Sequence, residues 1–596
     1  MRIYNNNVLK ILAVVLCVLL TYPAFLVSAS ALDTVKETTP EIVMPTLRSM
    51  METRSEEKIR VAIWLKDYDT EEAIATGSLP DYQTRLSTIQ ELERTSTAPN
   101  ETTRSIETKR AALRLCYEPY TADFGTDFLT NEEKIYCSTY LPIIIAELTP
   151  ARIEQVSTLE VVESIDYYCD DVVEEDVTVA SDQVESTRTI DQYYSIEDNL
   201  QFINGLTLRN SMTSSHSINV GILDVGNPDC SSNVFSDNYV EVNYPNADID
   251  FHATNTLEIF STVAPYASFY CTTYNNTNTS FYVNYIREFD WLISCDVSVI
   301  SISLQIREEQ LVGDQTQITE DDKNEYDVIS KYLDRIVHIY DILIIKSAGN
   351  YESEGIGSGG MAYNVITVGN YNRTIDSMAN TSSYYSGTEN ANKPDISAPG
   401  YFTFTSGNGP ADGTSFATPL VAGVATLLMA TNSSLMWRPS TVKAILMAST
   451  NSDHQYTLED VEYKYYGSGV IDAENARVAA TSTNYRYSGA AASEGSYTEY
   501  TISAVAGSVI RISMAFQKVN TASLEFSLGD LDLKLYNSSN REVNSSIDST
   551  NNVEIIEYSV VSSGVYKIRV STISLPNYGT STASPVFSVA WSTGGN

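Results

Sequence analysis

Three polar residues stand where apolar runs stop, the places from which side chains can do chemistry. Asp224 ends the run Ile218 to Leu223, and Asn350 closes the segment IIKSAGN one residue after Gly349. Ser415 lies in GTSFATPLVAG, where Gly413 permits a tight turn into a helix and Pro419 suits a first helical turn. A serine hydroxyl is a poor nucleophile near neutral pH unless a neighbouring base takes its proton, and histidine titrates in the right range. The chain has four histidines, His216, His252, His338 and His454, so the choice of base is short. A carboxylate behind the imidazole would fix its tautomer, and an amide in front would stabilise charge on a tetrahedral intermediate. Each residue also has an ordinary role: an Asp after a strand caps a turn, an Asn before glycine-rich sequence forms one, and a Ser before a helix is an N-cap.

The chemical reading needs one sheet edge to hold all three. From about 195 to 480 the sequence alternates helical stretches with short β-branched runs, Ile218 to Leu223, Ser268 to Cys271, Val297 to Ile302, Ile342 to Lys346 and Val365 to Val368. That pattern predicts an α/β domain with a doubly wound, mostly parallel sheet covered on both faces. In such sheets ligands gather at the carboxyl edge, where Asp224 and Asn350 fall. The stretch after Ser415 carries Ala422, Gly423, Ala425, Leu427 and Leu428, as expected of a helix buried inside the domain, with Ser415 at its positive end.

Two further segments flank this domain. Residues 58–168 read as a small α+β unit: a strand Val61 to Leu65, helix-favouring stretches at 84–94 and 104–115, strands Ile135 to Tyr140 and Ile143 to Leu148, a helix capped by Thr149 with Pro150 next, and a strand Val161 to Tyr167. A linker with Asp170, Asp171, Glu174, Glu175 and Asp176 follows. Residues 485–594 alternate in strands such as Val509 to Met514 and Leu531 to Tyr536, which predicts an antiparallel β-sandwich. Asp530 and Asp532 share one face there and offer oxygen ligands to Ca²⁺, or form a solvated face.

At the amino end, Arg2 and Lys10 precede an apolar run from Ile11 to Leu20, and Ala29, Ser30 and Ala31 follow, which is signal-peptide architecture over 1–31. No later stretch reads as a membrane span, so export in soluble form is expected, to the medium or a cell surface. With 76 acidic against 37 basic residues the formal charge is −39, which argues against nucleic acid as a partner and favours the approach of cationic peptides. Cys116, Cys137, Cys169, Cys230, Cys271 and Cys295 show no metal-ligand spacing and read as free thiols rather than disulfides.

The blocks INVGILDVG, HATNTLEIFSTVAPYASFY, ILIIKSAGN and DGTSFATPLVAGVATLL, with KPDISAPG at 393–400 and YGSGVIDA at 466–473, resemble those of the subtilases, the subtilisin-like serine proteases. The resemblance covers roughly 280 residues of the domain at 191–480. It implies Ser415 as nucleophile, His252 as general base and then acid, Asp224 as the orienting carboxylate, and Asn350 with the Ser415 backbone N–H as oxyanion donors. No cofactor is implied for the chemistry, and calcium only as a structural ion. The unit at 58–168, through AELTPARIEQVSTLEVVESID, resembles the subtilase propeptide, which acts as an intramolecular inhibitor and is cut off within a region ending near 190. GDLDLKLYNSSNREV and SGVYKIRV resemble the pre-peptidase C-terminal domain.

The block after His252 departs from the family's HGTHVAG, with Ala253, Asn255, Leu257 and Glu258 in its place, and a displaced helix is expected from the added Cβ at 253. Gln305 stands where glycine is common, and Val225 where threonine is. The reading is a secreted serine endopeptidase made as a self-processed zymogen and acting on proteins or peptides. Its alternatives are an inactive subtilase kept for binding or regulation and an adhesion protein working through the sandwich.

Overall fold

The computed structural model describes residues 42–54, 57–66, 117–168, 193–214, 217–273, 281–304, 326–352, 355–385, 392–451, 463–481, 483–489, 493–517, 529–574 and 586–595. The signal-like run, the helices expected at 84–94 and 104–115, the acidic linker, Cys116, Cys169, His216, His454 and Gln305 lie outside them.

The first unit opens with a helix the sequence reading did not foresee, α1 (Pro45–Thr53), followed by β1 (Ile59–Leu65), helical residues 117–127, β2 (Lys134–Cys137), β3 (Ile143–Leu148), α2 (Pro150–Ser157) and β4 (Val162–Tyr167). The strands form an antiparallel sheet in the order β2-β3-β1-β4. The period-2 alternation of β1 gives each face its own partner. Val61, Ile63 and Leu65 pack with Leu47, Met51, Ile153 and Val156 of the two helices, whereas Ala62 and Trp64 face the central domain.

That domain is built on β5 (Asn219–Asp224), β6 (Tyr239–Val242), α3 (Phe251–Val263), β7 (Ser268–Thr273), α4 (Phe281–Ser294), β8 (Val299–Ile302), α5 (Val328–Tyr340), β9 (Leu343–Ser347), β10 (Ile366–Asn372), β11 (Ser377–Met378) and β12 (Ile396–Pro399). The eight strands follow the order β11-β10-β9-β8-β5-β7-β6, with β12 beside β10, and only β11 runs antiparallel. β5 pairs with β7 on one side and β8 on the other, so the strand order reverses there and opens a crevice at the carboxyl end of β5. Helices α3 and α6 (Thr414–Thr431) cover one face and α4 and α5 the other.

Contrary to the sequence reading, α6 is long and apolar enough to cross a bilayer. Its side chains are instead buried in the domain core, against Val299, Leu343, Ile345 and Val368 of the sheet. Gly423 lets α6 touch α3, since a Cβ there would come within 2.5 Å of the Val263 side chain.

The first unit rests on α4 and α5. Asp290 of α4 accepts from Tyr136 Oη (2.6 Å), Ser138 Oγ (2.8 Å) and the Thr139 N–H (3.0 Å). Lys331 of α5 pairs with Asp166 at 2.9 Å, Arg335 with Glu163, and both cations lie over the Trp64 ring. Burial pushes the Asp290 carboxyl up to about 6 from its ordinary 3.8. A carboxyl raised on docking favours the docked state at low pH; the advantage, on the order of 3 kcal/mol, is full below about 3.8 and is lost as pH rises from there to about 6. As pH falls from about 7.5 to about 5, amides of residues 136–146 should therefore gain protection in hydrogen exchange. Asp290→Asn, neutral throughout, should flatten that gain; an equal gain in the variant would remove Asp290 as its cause.

Beyond α7 (Pro439–Met447), two antiparallel four-stranded sheets share one core that includes Ile510, Ile512, Leu533, Ile568, Phe587 and Val589. They are fastened to the central domain through buried Arg511, which pairs with Glu557 at 2.7 Å and donates to the Met447 and Ser468 carbonyls, and through Ser592 Oγ, which donates to Ala448 O at 2.7 Å.

Candidate active site

Asp224 ends β5 at the reversal point and is buried. Its Oδ1 accepts from the Val225 N–H (2.8 Å) and from His252 Nδ1 (2.7 Å), and its Oδ2 from Thr256 Oγ1 (2.8 Å). A carboxylate offers only lone pairs, so the Nδ1 atom facing it carries the ring hydrogen and Nε2 is the acceptor. Thr256 lies one turn after His252 on the same face of α3, the i,i+4 relation that lets both reach one carboxylate. The sequence reading missed it, though that spacing was visible.

His252 occupies the first turn of α3, where the N-cap Asp250 accepts its backbone N–H at 2.6 Å. Gly226 makes room for this cap, because a Cβ at 226 would lie 2.3 Å from Asp250 Cβ. The expected displacement of the helix does not reach the imidazole: Ala253 is buried and the contact with Asp224 is direct. The other departures hold a neighbouring loop. Glu258 accepts from the Thr405 N–H (2.7 Å), Thr405 Oγ1 (2.6 Å) and the Ser406 N–H (3.1 Å), and Asn255 Oδ1 accepts from Asn408 at 2.7 Å.

Ser415 is the second residue of α6 and buried, and the ring of its neighbour Phe416 lies against His252, the two centroids 5.1 Å apart. Its hydroxyl donates to Ser303 O at 3.2 Å, and its own carbonyl accepts from Ser303 Oγ at 2.8 Å. Pro419 explains the second bond and corrects the reading that put it in the first turn. The helix begins at Thr414, so Pro419 sits inside it, and its missing N–H leaves the carbonyl four residues back, that of Ser415, for Ser303 to fill.

Asn350 follows Gly349, whose φ of 117° suits glycine. The Thr414 N–H and Thr414 Oγ1 both lie 3.0 Å from Asn350 Oδ1. A backbone N–H only donates, so the facing atom is the amide oxygen and the NH₂ is presented on the other side. Gly413 leaves space for it: a Cβ there would stand 2.9 Å from Nδ2. The structure thus brings Asp224, His252, Ser415 and Asn350 together at the ends of β5, β8 and β9. His338 lies elsewhere, on α5 against Gln517.

Among the described residues, Asp530 and Asp532 belong to no group that could hold a metal ion. Asp532 pairs with Lys534 at 3.5 Å, burial raises both carboxyls above their ordinary range, and the described residues hold no group of three or more His, Cys, Asp or Glu that could bind a metal ion. The alternation that put them on one face serves a strand of a packed sheet equally well. Cys137, Cys230, Cys271 and Cys295 are free thiols.

Residues 243–469 match the family model described as the Subtilase family, a stretch that contains His252, Asn350 and Ser415 and begins after Asp224. The chain is 32% identical over 167 residues to the serine protease AprX of Bacillus subtilis (strain 168), covering 22% of this chain and 35% of that protein. It thus spans about a third of the length of that curated relative. Among solved structures, the prenylagaramide maturation protease PagA aligns at 19% identity and a TM-score of 0.37 over 47% of this chain and 98% of its own. The patellamide maturation protease PatA aligns at 20% and 0.35 over 44% and 96%.

Proposed function

We propose that this protein, a subtilase-family serine peptidase through residues 243–469, is a secreted endopeptidase that works through Asp224, His252 and Ser415 with Asn350 as oxyanion donor. The observation that carries this reading is the buried 2.7 Å contact between His252 and Asp224, which points the acceptor nitrogen of the ring away from the carboxylate. The Ser415 hydroxyl turns from Ser303 O to His252 Nε2, gives it the proton, and forms a bond to the scissile carbonyl carbon. The carbonyl electron pair moves onto oxygen, where Asn350 Nδ2 and the Ser415 N–H receive it. The imidazolium, steadied by Asp224, passes the proton to the leaving amine as the C–N bond breaks. Water repeats the sequence on the acyl-enzyme and returns Ser415.

The buried dock of the first unit on α4 and α5 supports a propeptide role for it, with self-cleavage in the linker that ends near 190. The basic residues and apolar run at the amino end support export. With all four site residues in place, an inactive binding protein is not favoured. Incubating an unfolded protein with the purified chain should generate new amino termini; none at any substrate concentration would overturn the reading.

Asn350→Asp tests the oxyanion donor, because aspartate keeps the two bonds from Thr414 while it replaces the NH₂ by a carboxylate oxygen where the negative charge develops. A fall of about 10²- to 10³-fold or more in kcat is expected, with little change in KM. An unchanged kcat would remove Asn350 from the reaction.

A further inference from the structure

Among the described residues four lysines are buried, Lys331, Lys346, Lys393 and Lys443. Three have a carboxylate partner: Asp166 for Lys331, and Asp395 for both Lys393 (2.7 Å) and Lys443 (2.8 Å). Lys346 has no ion pair among the described residues, although an unpaired buried charge is costly. Its Nζ donates to Leu304 O at 2.7 Å and reaches Ser347 O at 3.2 Å and Ser347 Oγ at 3.4 Å.

These contacts tie the ammonium group to the two strand ends next to the candidate site. Leu304 follows Ser303, which is bonded both ways to Ser415, and Ser347 lies three residues before Asn350. Lys346 therefore bridges the two strand ends that carry the nucleophile's support and the oxyanion donor. A scissile carbonyl with its carbon at Ser415 Oγ and its oxygen at Asn350 Nδ2 sets the residue that owns it over the gap between those ends. Beneath lies Gly359, where a Cβ would come 3.8 Å from Lys346 Cε. An ammonium group has three hydrogens; the bond to Leu304 O is short, and the two to Ser347 are long enough to be exchanged for a stronger acceptor.

We propose that Lys346 forms the floor of the pocket for the residue on the acyl side of the scissile bond and selects a carboxylate side chain there, glutamate or aspartate. This rests on the serine-peptidase reading of Ser415 and adds the substrate class. The remaining charged group acting on Lys346 from the elements packed against it is Asp327, the N-cap of α5, whose carboxylate is engaged by the Ser330 and Gly359 N–H groups and Ser358 Oγ. Burial lowers the Lys346 amine to about 7, so the free pocket is cationic below that pH and neutral above it. The net charge of −39 repels acidic peptides at long range, an effect that salt screens, whereas the pocket contact acts at short range.

The test is hydrolysis by the full chain, at ~0.15 M salt, of peptides identical except for Glu, Gln, Phe or Lys at the acyl-side residue. At about pH 6, kcat/KM for Glu should exceed that for Gln by about 10- to 100-fold, the range of a hydrogen bond to a charged group. The ratio should fall toward one at about pH 8.5, where the amine is neutral. Titration of His252 affects both peptides alike and cancels. Lys346→Met should bring the ratio near one at both pH values, and Lys346→Arg, which stays charged, should keep it high at both. A ratio near one at both pH values in the unaltered chain, or an undiminished ratio in Lys346→Met, overturns the assignment. If the variants do not fold, the pH series on the unaltered chain decides. Cleavage without acid preference rejects Lys346 alone; no cleavage, with no reaction of Ser415 with a fluorophosphonate, rejects the peptidase reading and this one together.

Discussion

Ser415→Ala will lower kcat for peptide hydrolysis by on the order of 10⁶-fold, the loss known for the nucleophile of subtilisin itself. The variant should leave the chain uncut between the first unit and the central domain. The change removes one oxygen that, among the described residues, bonds only to Ser303 O, while the Ser415 carbonyl keeps its bond from Ser303 Oγ. Folding should thus be little affected, and the loss can be read as chemistry. Steady-state hydrolysis of a fluorogenic peptide and gel mobility of the purified chain measure the two effects. Retained turnover, or processing of the variant at the normal rate when kept apart from active enzyme, would assign the reaction to another group.

Asp224→Asn is expected to cost on the order of 10⁴-fold in kcat, the loss known for the same exchange in a serine-protease triad. Three donors converge on the carboxylate: the Val225 N–H, Thr256 Oγ1 and His252 Nδ1. An asparagine with its oxygen in place of Oδ1 keeps the bonds from the Val225 N–H and His252 Nδ1 and turns its NH₂ to Thr256 Oγ1, whose hydroxyl must then accept. What it cannot keep is the negative charge that steadies the imidazolium once His252 has taken the Ser415 proton. Thr256→Val, which removes one donor and leaves the carboxylate, should have a far smaller effect. Comparing kcat for the two variants on one substrate checks this; equal losses would mean that support of the carboxylate, not its charge and acceptor set, is what matters.

Much of the central sheet was legible because parallel strands buried on both faces read as short β-branched runs. The limits of such runs were not: β10 continues through Gly369 and Asn370 to Asn372, since pairing with β11 and β12 holds polar sequence in the sheet. Helix α1 was missed because its nine residues, PTLRSMMET, carry little periodic signal, and Leu47 and Met51 find a core only once β1 is in place. Of the site, the groups with motif spacing, Asp224, His252, Asn350 and Ser415, were legible. Ser303 and Lys346 make their contacts between distant strands, which spacing along the chain does not reveal, whereas Thr256 was missed although it stands one helical turn after His252. Pro419 was placed too early in its helix because proline at a first turn is the commoner pattern, while here a side chain from β8's end replaces the lost hydrogen bond. Asp530 and Asp532 show a related limit: alternation shows which residues share a face, but not what lies opposite.

The central claim is that His252 activates the Ser415 hydroxyl within one assembled site. Mapping the adduct of a fluorophosphonate by peptide mass spectrometry tests it most directly. The account predicts a single modification on Ser415 of the unaltered chain and a rate near zero in His252→Ala. Modification elsewhere, or labelling of Ser415 at the same rate without the imidazole, would contradict it.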